Sequence, residues 1–373
     1  MRAQNERVVF QSEPFGALSR SLLKPLILAE GLAEIEAPNS VVGPPLNVAI
    51  SPKEDIALVA SSMKIDPDDA SKQMPDDRVT VIDISELKPT LVGRIKSVVG
   101  VKSAPAVPKI LATLTAGKGA AGVAINKAGT LALVANREEG TVSVFSIAGR
   151  NVTAAGKVTV GGEKSGPSAI AIAPDDKTAL VTRDADNRIS VLAIDGSTVS
   201  LTPREIAAGL RPYGIDISPK GDVAVVANIG VGGGDADTIS VIDLKLDPPR
   251  VVSTYTVGQT PEGIKISPDG KYVATTVMNG SNKAPNSPFF NDSGLLEVWS
   301  RTGTQLAKAG ELGIGRWCQG IAWASNSKTL LVQCMVEEEI EIVRFSGFSG
   351  KSLQRAGAIK TRGGPAGIGT ARP

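Results

Sequence analysis

Short apolar runs recur along the chain, and each lies within the same order of turn residues and polar loops. The clearest copy, residues 212–244, reads PYGIDISPKGDVAVVANIGVGGGDADTISVIDL. A short alternating segment is followed by Ser-Pro-Lys-Gly, a nearly all-apolar run, a polar loop and a run that ends in Ile-Asp. The first β-branched residue of each copy marks its position. These markers are Val48, Val123, Ile170, Ile215, Ile264, Ile321 and Ile368.

The spacing and content of the copies predict an all-β chain built as a seven-bladed β-propeller with four-stranded antiparallel blades. Successive markers lie 45 to 75 residues apart, and a period of about 40–50 residues with four strands per unit is typical of propellers. The apolar second run fits a strand covered on both faces by neighbouring blades. A β-sandwich would not explain so regular a repeat. We expect residues 1–373 to form one propeller domain.

The two ends of the chain are predicted to close the ring together. The last copy, residues 365–373, has room for one strand, whereas residues 5–42 contain strand-like runs before the first marker. We therefore expect the N- and C-terminal strands to share one blade, which would remove free sheet edges.

Composition excludes several kinds of site. The chain has no histidine, which rules out Ser-His-Asp catalysis and histidine-held haem, zinc or copper. A net charge of +2 and 3% aromatic residues do not favour nucleic-acid binding. No run of 18 apolar residues predicts a membrane span. We predict no cofactor and no metal.

The strings PxGIxISPxG, VAN and ISVID, which are clearest at 212–243 and 261–277, resemble the YVTN-repeat, YncE-like branch of the lactonase-like seven-bladed propellers. That resemblance implies the propeller fold. Its members include periplasmic binding proteins, 6-phosphogluconolactonase-like and carboxymuconate-cyclising enzymes, and heavy chains of quinoprotein amine dehydrogenases. The cyclising enzymes are associated with a funnel histidine that this chain lacks.

Cations precede the marker in five of the seven copies and predict a basic mouth of the central funnel. Two further arginines follow the second strands. We predict that this mouth binds a carboxylate or phosphate through charge-assisted bonds, the alternative being that each cation pairs with an acid of its own blade. The predicted ligand-binding cations are Lys118, Lys164, Arg211, Arg316, Arg362, Arg137 and Arg183.

Residues two positions before the marker should border the channel. Tyr213, Glu262 and Gln319 take this position in consecutive copies. Glu262 is the candidate general base, Tyr213 the candidate proton or hydrogen-bond donor and Gln319 a candidate ligand contact. The alternative for Glu262 is a salt bridge to an arginine. One position after the marker, Asp216 and Lys265 are predicted to pair across a blade boundary, the alternative being a catalytic pair.

These features leave more than one function open. The main hypothesis is a binding or scaffold propeller that recognises an anionic small molecule or a protein partner at the mouth, and that is a monomer. The alternative is a lactone hydrolase or isomerase acting on a carboxylated or phosphorylated substrate, and a third is a subunit of a redox complex.

Location is predicted from the N-terminus and the two cysteines. Residues 1–10 have no apolar signal core, so we expect either a periplasmic or secreted protein whose leader has been removed, or a cytoplasmic one. Cys318 and Cys334 are predicted to form a disulfide if a bulge shifts their strands by one residue, the alternative being two free buried thiols.

Overall fold

Residues 47–69, 71–87, 108–347, 352–361 and 363–371 are described by a computed structural model. They form six four-stranded antiparallel sheets, and within each sheet the strands follow chain order. Blade 1 contains β1 (Val48–Ile50), β2 (Ile56–Ala60), β5 (Arg78–Asp83) and β6 (Lys109–Thr115). The loop between β2 and β5 carries a hairpin, β3 (Met63–Ile65) with β4 (Gln73–Pro75), and a 3₁₀ turn at Ser85–Leu87 follows β5.

Blades 2 to 6 each contain four consecutive strands in chain order. Blade 2 contains β7 (Ala120–Ile125), β8 (Leu131–Asn136), β9 (Thr141–Ala148) and β10 (Asn151–Thr159); blade 3 contains β11 (Pro167–Ile172), β12 (Thr178–Arg183), β13 (Arg188–Asp195) and β14 (Thr198–Ala207). Blade 4 contains β15 (Pro212–Ile217), β16 (Val223–Asn228), β17 (Thr238–Asp243) and β18 (Arg250–Thr256). Blade 5 contains β19 (Pro261–Ile266), β20 (Tyr272–Val277), β21 (Gly294–Thr302) and β22 (Gln305–Ile314); blade 6 contains β23 (Cys318–Trp323), β24 (Thr329–Cys334), β25 (Glu339–Phe345) and β26 (Leu353–Lys360).

The core lies between the blades. The second strands β8 and β16 are buried at every residue, because both faces of the sheet are covered by its neighbours. The outermost strands are different, and β18 alternates exposed and half-buried residues. This is the predicted all-β propeller with four-stranded antiparallel blades.

The glycine of the repeat allows adjacent first strands to approach each other closely. A Cβ atom at Gly122, Gly214 or Gly263 would overlap the backbone carbonyl of Ser168, Glu262 or Gln319 respectively, in the next blade. Only glycine fits such an approach. The repeated Gly therefore sets the width of the inner ring and fixes the backbone of the residues predicted to border the channel.

The C-terminal segment completes this inner ring. Residues 366–371 lie between β23 and β1, since Gly320 packs against the carbonyl of Ala366 and Gly369 against that of Val48. Ile368 is buried against blade 6. The segment takes the inner position of a seventh blade, as predicted. The strands predicted from residues 5–42 lie outside the described residues.

Cys318 and Cys334 form a disulfide, as predicted, with Cα atoms 4.0 Å apart. The two residues are direct cross-strand partners, because a register shift between Cys318 and Ile321 moves the pairing by one residue. Among the described residues no helix is long and apolar enough to cross a membrane.

Candidate functional site

The mouth is the end of the central channel at which the first strands begin, bordered by Ser168, Tyr213, Glu262 and Gln319. In blades 3 to 6 the first strand has a register shift, so that two of its residues face one residue of the second strand. Each bordering residue is the first of those two. A β-bulge of this kind re-aims a side chain, and here the same bulge repeats around the ring.

Asp184 is the central acceptor of the mouth. Its fully buried carboxylate binds Arg137 of blade 2 (Oδ1 to Nη1, 2.7 Å) and Arg211 of blade 4 (Oδ2 to Nη2, 2.7 Å). Arg137 also donates from Nη2 to Oδ2 (2.9 Å), and Ser168 donates a fourth bond of 2.9 Å to Oδ1 and contacts Arg137. Burial alone would raise the pKa of Asp184, but these hydrogen bonds and charges outweigh burial and hold its pKa below the usual range. Three blades are thereby joined through one ionised carboxylate.

Arg211 keeps an unfavourable backbone conformation at the mouth. The residue immediately before the first strand has a positive φ in blades 2 to 6, and in blades 2 and 3 it is Gly119 or Gly166. Arg211 has a φ of 56° at this position, a region that disfavours side chains with a Cβ. The backbone N–H of Arg211 donates a hydrogen bond to the side-chain oxygen of Asn187 (2.7 Å). Blade 4 therefore carries a long cationic side chain at a position that is glycine in blades 2 and 3.

Glu262 is the buried carboxyl of the mouth, with 8% of its surface exposed. Burial raises its pKa to about 7, and the hydrogen bond from Gln319 and the charges of Arg137 and Arg211 oppose the rise. Its Oε2 atom has no hydrogen-bond partner among the described residues, and the same holds for Oε1 of Gln319. Glu262 therefore changes protonation near neutral pH, and its Oε2 atom is a buried acceptor that no described residue satisfies.

Tyr213 interacts both with this carboxyl and with the arginine pair. The guanidinium carbon of Arg137 is 5.8 Å from the centre of the Tyr213 ring, within the range of a cation–π contact. Burial, followed by the negative charge of Glu262, raises the pKa of Tyr213 above its ordinary value. The phenol thus stays protonated and can donate a hydrogen bond.

Three other predicted cations, Arg316, Lys118 and Lys164, do not join this cluster. The guanidinium of Arg316 binds Glu337 of its own blade (Nε to Oε1, 3.2 Å). Lys118 and Lys164 are exposed, and Arg362 lies outside the described residues. Of the predicted cations, only Arg211 has the position immediately before the first strand; Lys118 and Arg316 lie two residues before it and Lys164 three. The four of these cations that the structure describes therefore do not share one geometry.

Arg183 corrects one part of the sequence analysis. Both Arg137 and Arg183 are predicted to follow their second strands, but Arg183 is the last residue of β12 and corresponds to Asn136 of β8. Arg137 corresponds instead to Asp184. A one-residue offset on a strand reverses the direction of the side chain, and Arg183 accordingly packs between blades, where it binds Asp186 (3.0 Å) and Glu205 (2.7 Å).

Asp184 is the residue whose role the sequence analysis missed. The sequence pattern suggests ion pairs only between a cation and an acid of its own blade, whereas Asp184 binds arginines of the two neighbouring blades. The repeat did contain a signal for this role, because Asp184 takes the same position in its blade as Arg137 does: each is the first residue after the second strand.

Two long loops form a wall beside Arg211. Lys283 of the loop after β20 donates a bond to the carbonyl of Gly232 in the loop after β16 (2.7 Å), and the ring of Phe289 packs on Gly234. Leu210, Val231 and Phe289 are exposed on this side. The wall gives the mouth an apolar flank next to its charged centre.

The predicted pair of Asp216 and Lys265 is confirmed. Their closest oxygen and nitrogen atoms are 3.8 Å apart across the boundary between blades 4 and 5. The pair lines the channel at the end where each first strand is connected to its second strand by a turn. It therefore lies away from the mouth.

Comparison with known proteins supports a lactonase-like propeller. The model of the lactonase family, a seven-bladed β-propeller, matches residues 93–212. The fold is similar to that of hydrazine synthase from Kuenenia stuttgartiensis (TM-score 0.66, 18% identity, 91% of this chain and 93% of that one). It is also similar to a putative 6-phosphogluconolactonase from Bacteroides fragilis (0.66, 18%, 87% and 86%) and to the periplasmic gluconolactonase of Pseudomonas aeruginosa (0.64, 13%, 87% and 87%). No curated protein sequence matches the chain. The narrower resemblance to YVTN-repeat proteins stays a prediction.

Proposed function

We propose that the protein hydrolyses a lactone that carries a carboxylate or phosphate, and that Glu262 at the mouth is the general base. The observation that carries the proposal is the buried carboxyl of Glu262, whose pKa is raised to about 7 and whose Oε2 atom has no partner among the described residues. A general base works best when its pKa lies near the working pH. This favours the enzyme over the binding module that the sequence analysis preferred.

Ionised Glu262 would take a proton from a water molecule as that water attacks the lactone carbonyl carbon. A C–O bond to water forms, the ring C–O bond of the ester breaks, and the ring oxygen leaves as a hydroxyl by taking the proton back from Glu262. Gln319, which hydrogen-bonds to Glu262, would orient the carboxyl. Burial of the carboxyl keeps bulk water from competing for its acceptor atoms.

Tyr213 and the two arginines would stabilise negative charge. The raised pKa of Tyr213 keeps its hydroxyl available as a donor to the oxygen on which charge develops,. Arg137 and Arg211 contribute two positive charges, which balance the charges of Asp184 and of ionised Glu262. Arg211, with 39% of its side chain exposed, is the better placed to bind an anionic group of the substrate.

The comparisons support the reaction class. The matched family model is named for lactonases, and two structures of similar fold are named as a putative 6-phosphogluconolactonase and a periplasmic gluconolactonase. We extend lactone hydrolysis from these proteins to this chain, and we infer a phosphate or carboxylate on the substrate from the arginine pair. The disulfide favours an oxidising compartment,, and supports a periplasmic or secreted location.

The test is hydrolysis of glucono-1,5-lactone and 6-phosphoglucono-1,5-lactone, followed by acid release at pH 7.5 above the spontaneous rate. Wild-type protein should accelerate hydrolysis, and the phosphorylated lactone should have the lower KM. Glu262→Gln keeps the size of the side chain and should lower kcat by roughly 10²–10⁴-fold, the usual contribution of a general base. Glu163→Gln is the matched control, because Glu163 is exposed and lies outside the cluster.

Two outcomes would overturn this function. One is a Glu262→Gln protein as active as wild type. The other is wild-type protein that binds 6-phosphogluconate but accelerates hydrolysis of neither lactone, which would restore the binding module.

A further inference from the structure

The channel has a second cavity at its base, the end lined by Asp216, Lys265 and the residues around them. Its volume is about 180 Å³, and all six described first strands and residues 369–371 contribute to its wall. Most of that wall is apolar and includes Ile50, Ile125 and Ile172. A cavity of roughly this size accepts an apolar molecule of about six heavy atoms.

Lys265 presents a primary amine to this cavity. Its side chain is 22% exposed, and within the described part of the chain its closest carboxylate oxygen is Oδ1 of Asp216 at 3.8 Å, which is longer than a hydrogen bond. Trp323 donates a bond to the backbone carbonyl of Lys265 (3.1 Å) and so fixes this strand position. Burial lowers the pKa of Lys265 to about 8. A larger fraction of its amine is therefore neutral and nucleophilic at pH 7 than for an exposed lysine.

Asp216 places a carboxylate beside that amine. It is 3% exposed, and its Oδ2 atom accepts a bond from the backbone N–H of Ile266 (2.9 Å). This bond holds the carboxylate in place while Oδ1 points toward the amine. The base thus combines a partly open cavity with a mainly apolar lining, a desolvated amine and a group that can exchange protons with it.

We propose that the base of the channel is a second small-molecule site, in which the amine of Lys265 reacts reversibly with the carbonyl group of a small, largely apolar aldehyde or ketone. The nitrogen forms a bond to the carbonyl carbon, and the carbonyl oxygen takes up a proton to give a carbinolamine. The C–O bond then breaks, water leaves and an imine remains. The amine loses two protons one after the other; Asp216 accepts each of them and passes the first to the carbonyl oxygen and the second to the departing hydroxyl.

The experiment is reductive trapping on the intact wild-type protein. Butyraldehyde and sodium cyanoborohydride are added at pH 7, and the alkylation rate of each lysine is measured by peptide mass spectrometry. Lys265 should be labelled at least about tenfold faster than exposed Lys220, since its amine is more often neutral. Its rate should saturate as butyraldehyde increases, and 1-butanol, an unreactive molecule of the same size, should slow labelling at Lys265 only.

Three results would overturn the proposal: labelling of Lys265 no faster than that of Lys220, a rate that rises linearly with aldehyde, or no effect of 1-butanol. The last two would show a reactive amine without a binding site. Lys265→Met should abolish the saturable labelling, whereas Lys220→Met, on the same face of the propeller, should retain it. The wild-type measurements stand without these variants. They are also independent of lactone hydrolysis, because Glu262 lies at the other end of the channel.

Discussion

One strand carries an acidic group at the mouth of the channel and a basic group at its base. Glu262 and Lys265 are three residues apart on β19, a separation of about 10 Å. Burial raises the pKa of Glu262 to about 7 and lowers that of Lys265 to about 8. The surroundings differ: the charges of arginines from blades 2 and 4 act on the carboxyl, whereas a mainly apolar wall and one carboxylate surround the amine. The closed ring thus desolvates both groups, and the flanking blades determine the chemistry each can perform.

The largest expected effect is the change in stability with pH that Glu262 causes at the mouth. Because the folded pKa of Glu262 is above its ordinary value of 4.5, the folded protein binds more protons than the unfolded chain between pH 4.5 and about 7. Stability is therefore lost as the pH rises through this window. Glu262→Gln removes the penalty and should raise the free energy of unfolding above that of wild type by up to about 3 kcal/mol at pH 8, with little difference at pH 4. Urea denaturation at both pH values measures this; an equal difference at both would contradict the raised pKa.

Removing an arginine of the mouth should have the next largest effect. Arg211→Ala should lower kcat/KM for 6-phosphoglucono-1,5-lactone by about 10- to 100-fold, corresponding to about 1.5–3 kcal/mol for a charge-assisted bond. High salt should weaken binding of the anionic substrate in the wild type. Arg204→Ala is the control, because Arg204 forms an exposed ion pair with Asp247 on the outer surface. Equal losses from both variants would remove Arg211 from the site.

At the base, the stability of Lys265→Met relative to wild type should depend on pH in the opposite direction to that of Glu262→Gln. The folded pKa of Lys265 is below its ordinary value of 10.5, so the unfolded chain binds more protons between about pH 8 and 10.5, and wild-type stability rises with pH across this window. Removing Lys265 also leaves the buried Asp216 without its cation, a cost that is present at both pH values. The stability of the variant relative to wild type should therefore fall by about 1–2 kcal/mol between pH 7 and pH 10.5, an amount reduced by the partial exposure of the side chain. A relative stability that rises with pH would contradict the desolvated amine.

Arg211→Gly should separate function from stability. Glycine adopts the positive φ of this position without strain, and this relief offsets the lost ion pair to Asp184, which keeps Arg137 and Ser168. The free energy of unfolding should change by less than about 1 kcal/mol, while activity falls as in Arg211→Ala. Thermal denaturation beside the lactone assay measures both. A large loss of stability would mean that Arg211 is a structural residue.

The sequence predicted the blades well because repeated glycines, turns and apolar runs all follow one backbone geometry. It also placed Tyr213, Glu262 and Gln319 together, since equivalent positions in a ring face one axis. It failed for Arg183 and for the role of Asp184, because a one-residue difference in register decides whether a side chain faces the channel or the next blade. Contacts between blades, such as that of Asp184 with Arg137 and Arg211, depend on ring geometry that no single repeat contains.

The pH dependence of kcat/KM for lactone hydrolysis tests the central claim most directly. If ionised Glu262 is the base, the enzyme-catalysed rate should rise tenfold per pH unit below about pH 7 and level off above it, and the residual rate of Glu262→Gln should lack this transition. A wild-type profile without a transition near pH 7, or the same transition in Glu262→Gln, would contradict the account.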